Sequence, residues 1–489
     1  MPISFERIPV NLRVPGVFAE FSTANAIRGL VGITYKILVI GQRHSTGTVP
    51  ALTPVRVTSA DEAKSFFGHG SMLHAMFVAL KAVNRFTESW AIAVNNDPGA
   101  NAATGGFTIS GTPTAAGSVA FYIAGTRIPI AVTTSSTAAG IATALISAIN
   151  ADANLPVTAS SGGSGIALVT ARHPGEAGND LDLRVSYYDD ESLPTGITVS
   201  PSAMASGAVN PSIAGVIDAM GDEWYNVIAM AYTDSANLAL LEAELHDRWG
   251  PERPIEGHAF TARRGTQGEL GTFGDSRNSP HVTCIGMPPM PSPPYQVAAS
   301  VAGLVGDHGQ RDPARPFTTL AMSGIIGPKP VDRFTHAERN LLLYDGISTF
   351  IVDPGGISRI ERLITTYQRN DAGLPDESYL AVNSVLTLGY LRYSFRARFA
   401  QKFPRHKLAS DGTNFGPGQA VITRKIAKAE AIALFVQWET AGLVEGISQF
   451  KDELIAERNA NDPNRLDMLL PPDLVNQLIV VGAQFGFVL

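Results

Sequence analysis

Lys36-Ile37-Leu38-Val39-Ile40-Gly41 is short and almost uniformly apolar. Such a run reads as a strand covered on both faces, as inside a parallel sheet, rather than as the alternation of a half-solvated one. Downstream, Ser59 and Glu62 stand at capping-box spacing, which starts a helix. Leu73, Met76, Phe77, Leu80 and Val83 then repeat at the 3-4 spacing of a buried helical face, and Trp90-Ala91-Ile92-Ala93-Val94 is the next apolar strand. The alternation resumes after residue 210. A helix near 212–220 precedes the strand Tyr225-Asn226-Val227-Ile228-Ala229-Met230. A helix carrying Leu238, Leu241 and Leu245, a strand near 257–261 and the strand His281-Val282-Thr283-Cys284-Ile285-Gly286 follow. Strands separated by helices predict an α/β core: a mostly parallel or mixed sheet with helices on both faces. The Pro-rich segment 287–335 is expected to run over the surface. Beyond it come the strand Ser348-Thr349-Phe350-Ile351-Val352, a long helix from near Asp376 and another over 421–441.

The pattern breaks between about 97 and 210, where Gly, Ala, Ser and Thr dominate. Short alternating runs appear there: Phe107-Thr108-Ile109, Val119-Ala120-Phe121-Tyr122-Ile123, Ile128-Pro129-Ile130-Ala131-Val132 and Ile166-Ala167-Leu168-Val169-Thr170, with one helix at about 138–150. A small β-rich domain inside an α/β pattern marks an insertion at a surface loop.

Both ends of the chain read as extended segments. Ile479, Val481, Ala483, Phe485, Phe487 and Leu489 share one side at period two, the pattern of a strand with one fully apolar face. Such a strand needs a sheet edge and a cover for its apolar face. Either its own domain supplies them, or a neighbouring subunit does, by strand addition. Near the N-terminus Val10, Leu12 and Val14 alternate with Asn11 and Arg13, Pro15-Gly16 breaks the run, and Val17, Ala19 and Phe21 resume it. Two short pieces around a Pro-Gly turn make no core alone. The division expected is an N-terminal arm (1–28), a first core part (29–96), an outward-facing inserted β-rich domain (97–210), a second core part (211–472) and a C-terminal arm (473–489).

Composition narrows the function. Charged residues are only 17% of the 489, against roughly a quarter in an ordinary soluble domain, so much of the surface is expected to be covered by protein. The net charge of −7 argues against a nucleic-acid binder working by phosphate neutralisation. No apolar run reaches the roughly 18 residues of a membrane span, and the N-terminus lacks a signal-peptide layout, so cytoplasmic assembly is the expectation. Cys284, the sole cysteine, allows no internal disulfide or thiolate metal cluster, and sits mid-strand as a small core residue.

No catalytic constellation or cofactor motif emerges. Gly41-Gln42-Arg43-His44-Ser45-Thr46-Gly47-Thr48 follows a strand, but its glycine spacing is one residue too long for a phosphate loop and no lysine precedes Thr48. His308 with Asp307, Arg311 and Asp312 reads as a solvated Pro-Gly loop rather than an acid/base cluster. Arg392, Arg396, Arg398, Lys402, Arg405, His406 and Lys407 crowd the end of the long helix. Arg424, Lys425 and Lys428 open the next, where the helix dipole disfavours positive charge. Either these are solvated faces or they form a positive surface aimed at an acidic protein partner.

The order of parts resembles the contractile tail sheath family of bacteriophages, in its Mu-like branch. Val14-Pro15-Gly16-Val17-Phe18-Ala19-Glu20-Phe21 is similar to the family's arm motif. Thr58-Ser59-Ala60-Asp61-Glu62-Ala63-Lys64-Ser65-Phe66-Phe67-Gly68 resembles the segment after the first core strand. Thr423-Arg424-Lys425-Ile426 through Trp438-Glu439-Thr440-Ala441-Gly442-Leu443 resembles the family's C-terminal helix, and residues 104–185 its inserted domain. The resemblance covers most of the chain. It implies a structural virion subunit with no catalytic site, cofactor, metal, nucleic acid or membrane. Hexameric rings, assembled in the host cytoplasm around a tail tube between baseplate and tail terminator, would contract to drive the tube through the envelope. It further implies arms that extend a neighbour's sheet, through Val10, Leu12, Val14, Val17, Phe18 and Phe21 at one end and the odd positions 479–489 at the other. Arg424, Lys425 and Lys428 would face the tube. The competing readings are an enzyme on a doubly wound α/β fold, supported only by the alternation, and another tail or baseplate component.

Overall fold

A computed structural model describes residues 14–17, 30–416 and 418–488. The described residues fall into two compact units, one within 34–312 and 317–385, the other within 1–33, 313–316 and 386–489. The first unit opens with β1 (Lys36–Gln42), β2 (Val55–Arg56), α1 (Ala60–Phe67), α2 (Met72–Val83) and β3 (Glu88–Val94). Then come β4 (Thr104–Gly111), β5 (Gly117–Ile123), β6 (Thr126–Val132), α3 (Ala138–Ala151), β7 (Val157–Gly163), β8 (Ile166–Ala171), β9 (Leu183–Val185) and β10 (Ile197–Ala205). The unit continues with α4 (Ala214–Met220), β11 (Val227–Met230), α5 (Ser235–Trp249), β12 (His258–Arg264), α6 (Gln267–Asp275), β13 (Val282–Met287) and α7 (Pro294–Arg311). Its last elements are β14 (Ala321–Ile326), α8 (His336–Tyr344), β15 (Ile347–Val352) and β16 (Ile357–Arg362).

Nine strands form one mixed sheet in the order β14-β16-β15-β13-β12-β11-β1-β3-β2. The middle, from β15 to β3, is parallel throughout, and β2, β16 and β14 are antiparallel additions. Every residue of β11 and β13 is buried, because helices cover both faces. A Cβ added at Gly41 would meet Met72 and Met76 of α2, and one at Gly306 of α7 would meet Ile37, so α2 and α7 share the Ile37 face. On the opposite face Cys284 packs with Leu270 of α6, Leu342 of α8 and Ile347. The strands between β4 and β10 pair only among themselves, as a four-stranded sheet β10-β4-β8-β7 and a three-stranded sheet β6-β5-β9.

Helix starts follow local chemistry. Ser59 Oγ accepts the Glu62 amide, but the Glu62 carboxylate reaches back to Thr58 N and Oγ1. Thr266 and Glu269 complete a full capping box on α6, as do Thr335 and Glu338 on α8.

Two expectations are corrected. Residues 287–335 do not simply run over the surface: α7 lies within them, and thirteen of its eighteen residues are buried. Pro293 and Pro294 start this helix, since proline is tolerated where the amide has no intrahelical partner anyway. Asp307, His308 and Arg311 therefore sit on the last turns of a helix, with Arg311 paired to Asp307 at 2.6 Å, not in a loop. The long helix also begins later than Asp376. Asp376 accepts from Ser378 N, Ser378 Oγ and the Tyr367 hydroxyl in a turn, and helix α9 spans Val382–Lys402.

In the second unit α9, from Leu386 onward, is followed by β17 (Lys407–Leu408), β18 (Val421–Ile422), α10 (Arg424–Thr440), β19 (Val444–Glu445), α11 (Ile447–Glu453), β20 (Ile455–Arg458), β21 (Leu466–Leu469) and β22 (Asp473–Leu474). Its core gathers Leu391, Leu434, Phe435, Trp438, Phe450 and Leu454. Phe435 stacks on Phe450 at 4.1 Å, and the buried Trp438 indole donates to Ser394 Oγ. Its strands make only two-stranded ladders, β17-β18, β19-β22 and β20-β21.

Candidate interface segments

The C-terminal segment follows β22, which pairs antiparallel with β19. Val475 N donates to Leu443 O, the last main-chain hydrogen bond among the described residues. Residues 476–488 carry no strand, and the unit's own ladders give them no partner among the described residues. Phe485 is 92% exposed and Phe487 84%, with Ile479, Val481 and Ala483 also exposed. Leu478, Val480 and Val488 are open as well, so both faces lack cover in the single chain. Leu489 lies outside the described residues.

Of the N-terminal positions only Val14 and Val17 are described, and both are exposed; Val10, Leu12, Phe18 and Phe21 fall outside the described residues.

Helix α10 presents Arg424 and Lys425 to solvent, with Lys428 half-buried. Thr423 is its N-cap. Asp411 supplies a negative charge at this helix start. Its carboxylate accepts the Lys425 amide at 3.1 Å and pairs with Arg424 at 3.1 Å. The Lys425 amide, Thr423 and Arg424 together hold the Asp411 carboxyl below the usual carboxylate range. An acidic group at the helix start thus offsets Arg424, while Lys425 and Lys428 make no ion pair among the described residues. The basic run on α9 is likewise not all solvated. Arg398 and Lys402 turn inward to Glu430 of α10, which is only 7% exposed. Sequence reading missed Asp411 and Glu430, because each stands more than ten residues from its partner and neither belongs to a motif.

No group of His, Cys, Asp and Glu among the described residues is arranged to hold a metal ion, and no described helix is long and apolar enough to cross a membrane. Burial pushes the Cys284 thiol up to about 12, the condition of an inert core thiol.

Comparison with known proteins closes the question of family. Residues 206–366 match the phage tail sheath protein central domain and residues 375–485 the phage tail sheath C-terminal domain, together more than half of the chain. The chain is 42% identical to the Mu-like prophage FluMu tail sheath protein of Haemophilus influenzae over 489 residues, the whole of both chains. Its fold is similar to that of the sheath tail protein of Desulfitobacterium hafniense, with a TM-score of 0.50 at 12% identity over 95% of this chain and 97% of that one. The sheath tail protein of Listeria innocua gives 0.48 at 13% identity over 93% and 95%. This chain belongs to the phage tail sheath family, in its Mu-like branch.

Proposed function

We propose that this subunit of a contractile phage tail sheath polymerises through its two terminal arms, each adding strands to a neighbour's sheet. The observation that carries this is the segment 476–488, apolar to its last described residue and without partner in its own unit. Strand addition would satisfy its backbone by a ladder and its odd-numbered side chains by a neighbour's core. Hexameric rings joined this way would wrap a tail tube, with Arg424, Lys425 and Lys428 of α10 turned toward it and residues 97–210 turned outward. Assembly would take place in the host cytoplasm, with baseplate and terminator at the ends of the tail. The role is structural: the work of contraction comes from the free-energy difference between two packings of the same subunits. The extended packing is kinetically trapped and the body moves nearly as a rigid piece.

Electron microscopy of the protein alone and co-expressed with its tube protein tests this. Tubes or stacked rings support it. Discrete particles that never polymerise in either preparation overturn it.

A further inference from the structure

Residues 97–210 meet the core of their unit at a polar seam over the carboxyl ends of the parallel strands. His44, just past the end of β1, stacks face to face on His173, with ring centroids 4.2 Å apart and planes 8° from parallel. The His173 Nε2 accepts the Met72 amide at 3.2 Å, one of the amides at the start of α2 that have no intrahelical partner. Its Nδ1 lies 2.9 Å from Asn96 Oδ1. These contacts require one tautomer, with Nδ1–H donating to Asn96 and a bare Nε2 lone pair on the helix terminus. Gln42, fully buried, donates from Nε2 to Pro174 O at 2.8 Å and to Asn96 at 3.0 Å. Beside this contact the seam is not close-packed. A cavity of about 390 Å³ lies between Glu176, Asn179 and Asp180 on one side and Tyr232, Arg264 and Tyr295 on the other.

We propose that this seam is an acid-labile latch: neutral His44 and His173 hold the segment 172–180 against the start of α2, and protonation releases it. A proton on His173 Nε2 would abolish its acceptance from Met72 and set an N–H against the positive end of α2. A proton on His44 would put a cation against a stacked ring with Arg172 close by. Burial, then Arg172, hold the His44 ring below its ordinary value, opposed by a hydrogen bond to the Gly70 main chain. Burial, then His44 and Arg172, hold His173 well below it. The remaining titratable groups nearby are Arg43, whose Nη2 donates to Gly47 O, His69, His74 and Glu176, whose carboxylate accepts from Asn210. His74 is itself held at about 4, first by burial.

The sign follows from the depressed values. The latch is fully closed above the ordinary histidine value of 6.5 and weakens as pH falls below it, because only the released state takes up protons there. Between pH 7.5 and 5.0 a ring that stays neutral when docked favours release by roughly 30-fold.

Hydrogen–deuterium exchange of the full chain, corrected for the chemical exchange rate, tests this at pH 7.5 and 5.0. Amides over 72–76 and 172–180 should lose protection by a factor of about 30 or more at pH 5.0, while β12 keeps it. His44→Phe with His173→Gln, whose amide oxygen can still accept from Met72, should be protected equally at both pH values. Unchanged wild-type protection, or the same loss in the double variant, overturns the latch. Loss setting in at about 6.5 in the wild type and absent from the double variant supports it, whereas loss only below about 4.5 assigns the effect to carboxylates and overturns it.

Discussion

Arg398 Nε and Glu430 Oε1 stand 3.4 Å apart, with both side chains less than a tenth exposed. The pair ties α9 to α10 inside the second unit, and Arg398 adds a 2.6 Å hydrogen bond to Gln437. Lys402 joins Glu430 from a more open position, with 35% of its side chain exposed.

Glu430→Ala should therefore remove the carboxylate that both Arg398 and Lys402 face and destabilise this unit by up to about 3–5 kcal/mol, the range for removing one partner of a buried pair. Lys402→Ala should cost less than about 1 kcal/mol, since its side chain is already 35% exposed. Urea unfolding of both variants checks the ranking; equal costs would refute it.

Asp411 should make stability pH-dependent in one direction. Its carboxyl is held down by the Lys425 amide first, then by Thr423 and Arg424, so its contribution is present above the ordinary value of 3.8 and lost as pH falls below it. Asp411→Asn should be less stable than wild type at pH 7, with the gap closing below pH 3.8. Thermal melts across that range measure the gap.

Gly306 lies where α7 crosses β1. Alanine there should gain roughly 1 kcal/mol of helix propensity, yet its Cβ would fall 2.5 Å from Ile37 Cδ1 and 2.9 Å from Cγ1. Ile37 is fully buried and would be pressed at Cγ1 as well as Cδ1, so overpacking of about 1–3 kcal/mol should win. Gly306→Ala should melt below wild type; a higher melting point would show that α7 shifts freely over the sheet.

The strands that were legible are those whose burial is written into the strand itself. Lys36-Ile37-Leu38-Val39-Ile40-Gly41 announces a two-sided burial that β1 has. Helix α7 was legible but overlooked: Val297, Val301, Leu304 and Val305 recur at helical spacing, yet the surrounding prolines drew the whole of 287–335 into one surface reading. One division between the two units falls at 385/386, inside the continuous helix α9, where no composition shift or linker can signal it. The two-stranded ladders of the second unit were missed because strands of two to four residues lack a period to read. Of the candidate interface, the apolar alternation of 479–489 was visible. The charge pairing by Asp411 and Glu430 was not, because only folding brings those carboxylates to α10 and α9.

The central claim is that residues 476–488 belong to another subunit's sheet. Burying Phe485, Phe487 and the flanking aliphatics would contribute on the order of 5–10 kcal/mol gross, before the entropy of ordering the segment. The most direct measurement is a chain truncated before Ile479, followed by sedimentation and electron microscopy. The account predicts a folded, soluble monomer that forms no tubes, the same defect from Phe485→Asp with Phe487→Asp, and normal polymers from Gln484→Ser. A truncated chain that still polymerises, or one that unfolds as a monomer, would contradict it.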